Sequence, residues 1–299
     1  QTKRDLEKFF NNSLWYGFTG TPIFEENRYE QKGDLPQTTE QMYGKCLHSY
    51  TIKEAIHDEA VLGFMVENLG AKDLSEDEAK KVYETEEHMR KVLNVILNQS
   101  YDKFGMNNGR GRTYEAILTT NSIGRAQKYY DLLKKVKEGE DELKISDTVQ
   151  KALPDFPKFA ITYSLSENEE ASTVNQNKMK EALRDYYEMF GSSYRIDAIN
   201  AYNNNLNERL ARKEKRYLDR SQQLDLVIVV DRLLTGFDAP CLSTLFIDRQ
   251  PMAPQNIIQA FSRTNRLFDY AKRYGQIVTF QAPKEYKNAI NSALKLYSR

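Results

Sequence analysis

LDLVIVVDRLLTGFDAP, running from Leu224 to Pro240, carries the reading of the whole chain. Its apolar half has the pattern of a buried strand, and its polar half is a turn, Thr235-Gly236-Phe237-Asp238, closed by Ala239-Pro240. Gly236 lets the backbone approach a phosphate or a ribose, and Asp238 suits a sugar hydroxyl or the orientation of an arginine. The same residues also suit an ordinary strand-to-helix turn with an N-cap aspartate. What favours the first reading is QAFSRTNR, Gln259 to Arg266, about twenty residues downstream. Arg263 and Arg266 follow Gln259 by four and seven residues, so a helix projects all three from nearly one face. Arginine suits a face that grips a triphosphate, because its planar fork of donors matches phosphate oxygens and stays charged at any working pH. The bland alternative is a pair of surface arginines on an amphipathic helix.

Outward from this stretch, short apolar runs alternate with helical ones. EAILTTN reads as a strand, SIGRAQKYYDLLKKV as a helix, KFAITYSLS as a strand and NQNKMKEALRDYYEMF as a helix. DAINAYNNNLNERLARKEKRYLDR continues helical, STLFID and GQIVTF read as strands, and PQNIIQAFSRTNR as one helix between them. This alternation predicts a parallel sheet with helices on its faces, with ligands held at the carboxyl ends of the strands. Upstream, SEDEAKKVYETEEHMRKVLNVILNQSYDKF sets Val82, His88, Met89, Val92, Val95 and Ile96 on one apolar face, and Ser75 with Asp77 and Glu78 is a helix start. Three parts are expected: residues 1–50, with a helix-like start, a strand end at the Thr19-Gly20-Thr21-Pro22 turn and then the polar EENRYEQKGDLPQTT; a helical linker over 51–108; and the alternating region 109–299.

Of 299 residues, 40% are hydrophobic and 29% charged, enough for one large core or two medium ones. The 43 basic and 43 acidic residues cancel, so any nucleic-acid contact must come from a local patch. Cys46 and Cys241 are far apart without neighbouring ligands, which argues against a disulfide framework or a zinc site and fits a cytoplasmic setting. No run approaches the roughly 20 apolar residues of a membrane span. His48, His57 and His88 have no partners at ligand spacing and read as structural.

FTGTP at Phe18 to Pro22, LTTN with Arg125, TGFDAP and QAFSRTNR resemble, in this order, motifs III, IV, V and VI of a superfamily 2 helicase-type motor. Their wording is closest to the restriction (motor) subunit of type I restriction-modification enzymes, and HSYTIKEAIHDEAVLGF resembles the segment that leads into that family's second lobe. The order and spacing of the motifs, more than any one of them, carry the likeness.

The resemblance implies an α/β, RecA-like parallel sheet with helices on both faces, the second motor lobe, over 109–299. The end of the first lobe would occupy 1–50. In such motors two lobes close on ATP; the first holds the phosphates and Mg²⁺, and the second inserts arginines. Arg266 would then be the arginine finger, Arg263 a γ-phosphate or interlobe contact, and Gln259 the residue that positions one of them or the attacking water; the two arginines could exchange roles. Gly236 and Asp238 would also meet the nucleotide. Thr19, Thr21, Thr119, Thr120, Thr235 and Arg125 would contact the backbone of double-stranded DNA. Arg110 and Arg112 in NNGRGR, and the six basic residues of RLARKEKRYLDR, offer further candidates or merely solvated positions. The complete protein would be an ATP-dependent site-specific deoxyribonuclease that translocates duplex DNA, with methyltransferase and specificity subunits as partners. G-x-x-x-x-G-K-[ST] does not occur, Asp58-Glu59-Ala60 is out of order for a Mg²⁺ motif, and no nuclease cluster precedes FTGTP. The chain by itself is therefore expected neither to hydrolyse ATP nor to cut DNA. A lobe of another superfamily 2 helicase, or a non-catalytic α/β binding domain, are the alternatives. The latter requires Arg263 and Arg266 to point away from Gly236 and Asp238.

Overall fold

The computed structural model describes residues 2–71, 74–165 and 172–299. Ser166, which ends the expected strand KFAITYSLS, lies outside them, as do residues 72–73 of the expected linker. The chain opens with helices α1 (Thr2–Phe9), α2 (Thr39–Tyr43) and α3 (Ile52–His57), joined by extended segments, and then enters a sheet at β1 (Gly63–Asn68). Helices α4 (Glu76–Tyr83) and α5 (Glu86–Asn98) lead to β2 (Glu115–Thr120), α6 (Ile123–Glu138), α7 (Asp147–Ala152) and β3 (Phe159–Thr162). There follow α8 (Ser172–Phe190), α9 (Ile199–Ala211), β4 (Leu226–Val229), β5 (Leu242–Asp248), α10 (Pro254–Phe261), β6 (Tyr274–Thr279) and α11 (Pro283–Tyr297).

The six strands form one sheet in the order β1-β6-β5-β2-β4-β3, and every pairing is parallel. Every residue of β2, β3, β4 and β5 is buried, on both sides of the pleat. A strand can be apolar at consecutive positions only when both faces are covered, which is why these runs show no alternation in sequence. Helix α6 packs on β2, β3 and β4, while α11 packs on α10 and β1. The result is the expected α/β, RecA-like architecture.

The expected helical linker over 51–108 departs from expectation. Its residues Gly63–Asn68 pair in register with Tyr274–Thr279 as the sheet's edge strand, and α5 buries Met89, Val92, Leu93, Ile96 and Leu97 in the main core. Losing one of these side chains to alanine would cost about 2–5 kcal/mol, so this segment belongs to the folding unit of the sheet. The expected single helix through SEDEAKKVYETEEHMRKVL is two. Ser75 caps α4 in a capping box with Glu78, and Thr85 starts α5 anew by accepting from the backbone N–H of His88 at 3.1 Å. Val82 is consequently 40% exposed, off the apolar face it was expected to share.

The helix over RLARKEKRYLDR also stops early, at Ala211, where Arg212 takes a left-handed φ of 49°. Arg209, Arg212 and Arg220 turn inward. Arg209 donates to the Tyr186 hydroxyl and the Gln222 carbonyl, Arg212 to the Thr113 carbonyl, and Arg220 pairs with Asp225 at 2.5 Å. Only Lys213, Lys215 and Arg216 stay exposed, so no basic stripe forms there. Among the described residues no helix is long and apolar enough to cross a membrane.

Candidate functional site

Helix α10 runs back from the carboxyl end of β5 toward the amino end of β6, so whatever follows its last turn is delivered to the amino ends of the strands. Pro254 at its first turn suits the fixed φ of a helix start. Its end is tightened by the backbone N–H groups of Arg263 and Thr264, which donate three residues back to Ala260 and Phe261, and by the Ser262 and Thr264 hydroxyls on the carbonyls of Ile258 and Phe261. The helix therefore ends at Phe261. Gln259 lies on it, Arg263 in the closing turn and Arg266 beyond, which corrects the expectation of one helical face. The three nonetheless meet.

Arg263 lies over the Gly-x-Asp turn, its Nη1 donating to the carbonyl of Phe237 and its Nε to that of Gln259 at 3.0 Å. Arg266 Nε is 3.2 Å from Asp238 Oδ1 but makes no hydrogen bond, so charge alone holds it there. Gln259 donates through Nε2 to the Thr21 hydroxyl, whose backbone N–H in turn donates to Thr19 Oγ1 at 3.1 Å. Gln259, Arg263, Arg266, Thr19 and Thr21 line a cleft of about 390 Å³ together with Thr235 and Gly236. Gly236 takes a φ of +67°, a conformation that favours glycine, and open space lies where a Cβ would stand, so the backbone itself faces the cleft.

Electrostatics favour an anion here. Burial lowers the pKa of the Arg263 guanidinium, the neighbouring Arg266 charge lowers it further, and Asp238 opposes both. Two cations against one carboxylate leave the cleft short of negative charge. This donor set fits phosphate oxygens: forked donors, an open glycine turn and excess positive charge.

The location is not the expected one. Asn265 exchanges backbone and side-chain hydrogen bonds with Leu62, just before β1, at 2.8 and 3.1 Å. The cleft thus sits toward the amino ends of the strands, because α10 and the long loop from β4 to β5 both travel down the sheet. At the carboxyl ends, Thr119 and Thr120 are fully buried, donating to the carbonyls of Val230 at 2.7 Å and Ser122 at 3.1 Å. Arg125 is bound to the buried Asp248 at 2.5 Å. Thr119 and Thr120 thus spend their hydroxyl hydrogens inside the fold and Arg125 turns Nε and Nη2 inward, whereas the Thr21 hydroxyl accepts from Gln259 and keeps its own hydrogen at the cleft. Thr19 and Thr235 remain exposed at the cleft.

The profile of type I restriction enzyme subunit R domain 3 matches residues 112–282, more than half of the chain. The chain belongs to that family. A SWI2/SNF2 ATPase profile matches residues 1–95. The R-subunit chain is similar to the endonuclease subunit of a type I restriction enzyme from Staphylococcus saprophyticus, at 34% identity over 99% of its length. A Staphylococcus aureus counterpart is 32% identical over the same share. In both cases the chain spans 30% of the relative's own length. Among solved structures, a fragment assigned to the HsdR subunit of a type I restriction enzyme from Vibrio vulnificus has the same fold. It superposes with a TM-score of 0.55 at 15% identity, over 96% of this chain and 43% of the other.

Several residues of the R-subunit site carried little signal in sequence. Tyr50, at the end of the expected first part, and Thr51, Ile52 and Ala55, within the expected linker, form a wall of the cleft. Thr51 and Glu54 make a capping box that starts α3, and T-I-K-E is a readable signature of one. Asn265 and Lys272, which tie down the loop around Arg266, had no such signature.

Proposed function

We propose that this R-subunit segment is the second motor lobe of a type I restriction enzyme, with the end of the first lobe attached, and that its cleft receives the phosphates of ATP. Arg266 acts as the finger that meets charge developing on the transferred phosphoryl group. Arg263 holds the Gly-x-Asp turn and the neighbouring phosphate oxygens. The division of labour rests on their surroundings: Arg263 is committed to two carbonyls of its own chain, whereas Arg266 is 40% exposed at its side chain and held only by charge. Gln259 keeps the FTGTP segment against the arginine loop through Thr21. Mg²⁺ would be bound by the first lobe; among the described residues no group of three or more His, Cys, Asp or Glu side chains is gathered to hold a metal ion.

In the complete subunit, hydrolysis at this cleft would drive movement along double-stranded DNA before cleavage, in the cytoplasm, with methyltransferase and specificity subunits as partners. Thr19, Thr21 and Thr235, all lining the cleft, are the candidates for DNA backbone contact. The convergence of both arginines on Phe237-Asp238 is the observation that carries this reading, since a non-catalytic binding domain has no need of it. ATPase activity of the complete subunit, with and without duplex DNA, tests it. Arg266→Ala is expected to lose about a thousandfold in kcat with the fold intact. Unchanged rates in both Arg266→Ala and Arg263→Ala would overturn the assignment.

A further inference from the structure

Lys272 lies between α10 and β6 and is only 4% exposed. Its ammonium donates to the carbonyl of Pro240 at 2.6 Å and to that of Arg266 at 2.8 Å. These carbonyls belong to two separate loops. Pro240 ends the turn that presents Gly236 and Asp238, and Arg266 is the side chain paired with Asp238. One buried cation therefore bridges the backbones of both halves of the cleft. Its own loop is pinned in turn: Asp269 Oδ1 accepts from the backbone N–H groups of Ala271 at 3.1 Å and Lys272 at 2.9 Å, and from the Tyr114 hydroxyl at 2.7 Å.

We propose that Lys272 is a positioning residue for nucleotide hydrolysis, whose buried ammonium fixes the backbone of Arg266 against the Asp238 turn and so sets the reach of the Arg266 guanidinium. This rests on the reading of Arg266 as the finger. A compact cation with three donors can hold two carbonyls at once, and charge strengthens both bonds. Stability alone is a poor reason for a lysine here, because a buried ammonium costs desolvation that a methionine of similar length would not.

The groups around the ammonium are Cys241 before β5, Glu115 at the start of β2, and Asp269 and Arg266 on its own loop. Burial pulls Lys272 down to about 8; Cys241, Glu115 and Asp269 resist this, and Arg266 adds to it. As pH rises through about 8 the ammonium loses its proton and the charge assistance with it, so turnover falls. Folding stability moves the other way. The unfolded lysine, with its pKa near 10.4, binds more protons than the folded one between about pH 8 and 10.4, so this group's contribution to stability rises there.

The test uses the complete R subunit assembled with its partner subunits on duplex DNA, measuring kcat and KM for ATP from pH 6.5 to 9.5. Lys272→Met is expected to lower kcat by about 10²-fold, the cost of misplacing a group by about an ångström, with KM little changed and the alkaline limb absent. Lys272→Arg, charged throughout, should shift that limb upward. Arg266→Ala is the reference. If Arg266→Ala is fully active, the finger reading fails and this inference falls with it. If Arg266→Ala is impaired while Lys272→Met keeps both kcat and the limb, the inference alone is overturned. Should Lys272→Met fail to fold, the profile of Lys272→Arg decides, and a limb unmoved from the wild-type position overturns the proposal.

Discussion

Asp248→Asn should destabilise this domain strongly while leaving its shape almost unchanged. Asp248 ends β5, is fully buried, and collects five hydrogen bonds on two oxygens. His88 Nε2 and Gln281 Nε2 lie 2.8 and 2.9 Å from Oδ1. Arg125 donates from Nε at 2.9 Å and Nη2 at 2.5 Å, and the Tyr129 hydroxyl at 2.7 Å, all to Oδ2. One carboxylate thus ties α5, α6, β5 and Gln281, two residues beyond β6, together. Asparagine keeps the volume, but its amide turns a donor toward these donors and leaves the Arg125 guanidinium buried without a counter-charge. Breaking such a pair on one side costs about 3–5 kcal/mol. At about 2–4 °C per kcal/mol for a domain of this size, Tm should fall by at least about 6 °C.

Urea and thermal unfolding of Asp248→Asn, Arg125→Met and the double variant measure it. The double variant should cost less than the sum, because it removes both charges. Burial pushes Asp248 up, but the His88 hydrogen bond and the Arg125 charge outweigh it and hold the carboxyl below its ordinary value. With a depressed folded pKa, the stabilisation is present above the unfolded value near 3.9 and lost as pH falls through the folded one. The gap between wild type and Asp248→Asn should therefore close in acid. A single-variant cost under about 1 kcal/mol, or strict additivity in the double variant, would refute the reasoning.

Burial pushes Glu115 up to about 8, against the pull of Arg212 at 3.4 Å. A raised folded pKa gives stability that is present below the unfolded value and lost as pH rises toward 8, so wild type should lose stability relative to Glu115→Gln between pH 5 and 8, as read by urea titrations at both. Parallel curves would count against it. A Cβ on Gly275 would collide with the Thr264 hydroxyl and come within 3.0 Å of the Asn265 backbone, so Gly275→Ala should push the arginine loop off the start of β6. Overpacking of this kind costs about 1–3 kcal/mol, and ATPase of the complete subunit should drop with it; an unshifted Tm would show that the loop yields freely.

Much of the architecture was legible because burial on both faces imposes its own pattern. LVIV, AIL and LFI are apolar without alternation, and only a parallel sheet clad in helices demands that. The edge strand Gly63–Asn68 was missed for the same reason. Half exposed in the pattern of an edge, its residues needed no continuous apolar run, and the charged stretch after it suggested a linker. The arginine pair and its Gly-x-Asp partner could be matched from spacing, because the fork chemistry of arginine and the φ freedom of glycine are properties of single residues.

What residue identity left open was which arginines face a ligand. Arg209, Arg212 and Arg220 read as basic as Arg266 does, yet they satisfy carbonyls and carboxylates inside the core. Thr119 and Thr120 read as phosphate donors and instead donate to the backbone carbonyls of Val230 and Ser122. The sequence alone determined the strand-helix alternation and the chemical types at the cleft, since both depend on local pattern. Tertiary structure alone decided the end of α10 at Phe261, the position of the cleft at the amino ends of the strands, and the clamp at Lys272. Each depends on which distant carbonyls and carboxylates come within hydrogen-bond reach, and that is settled only when strands remote in sequence become neighbours in the sheet.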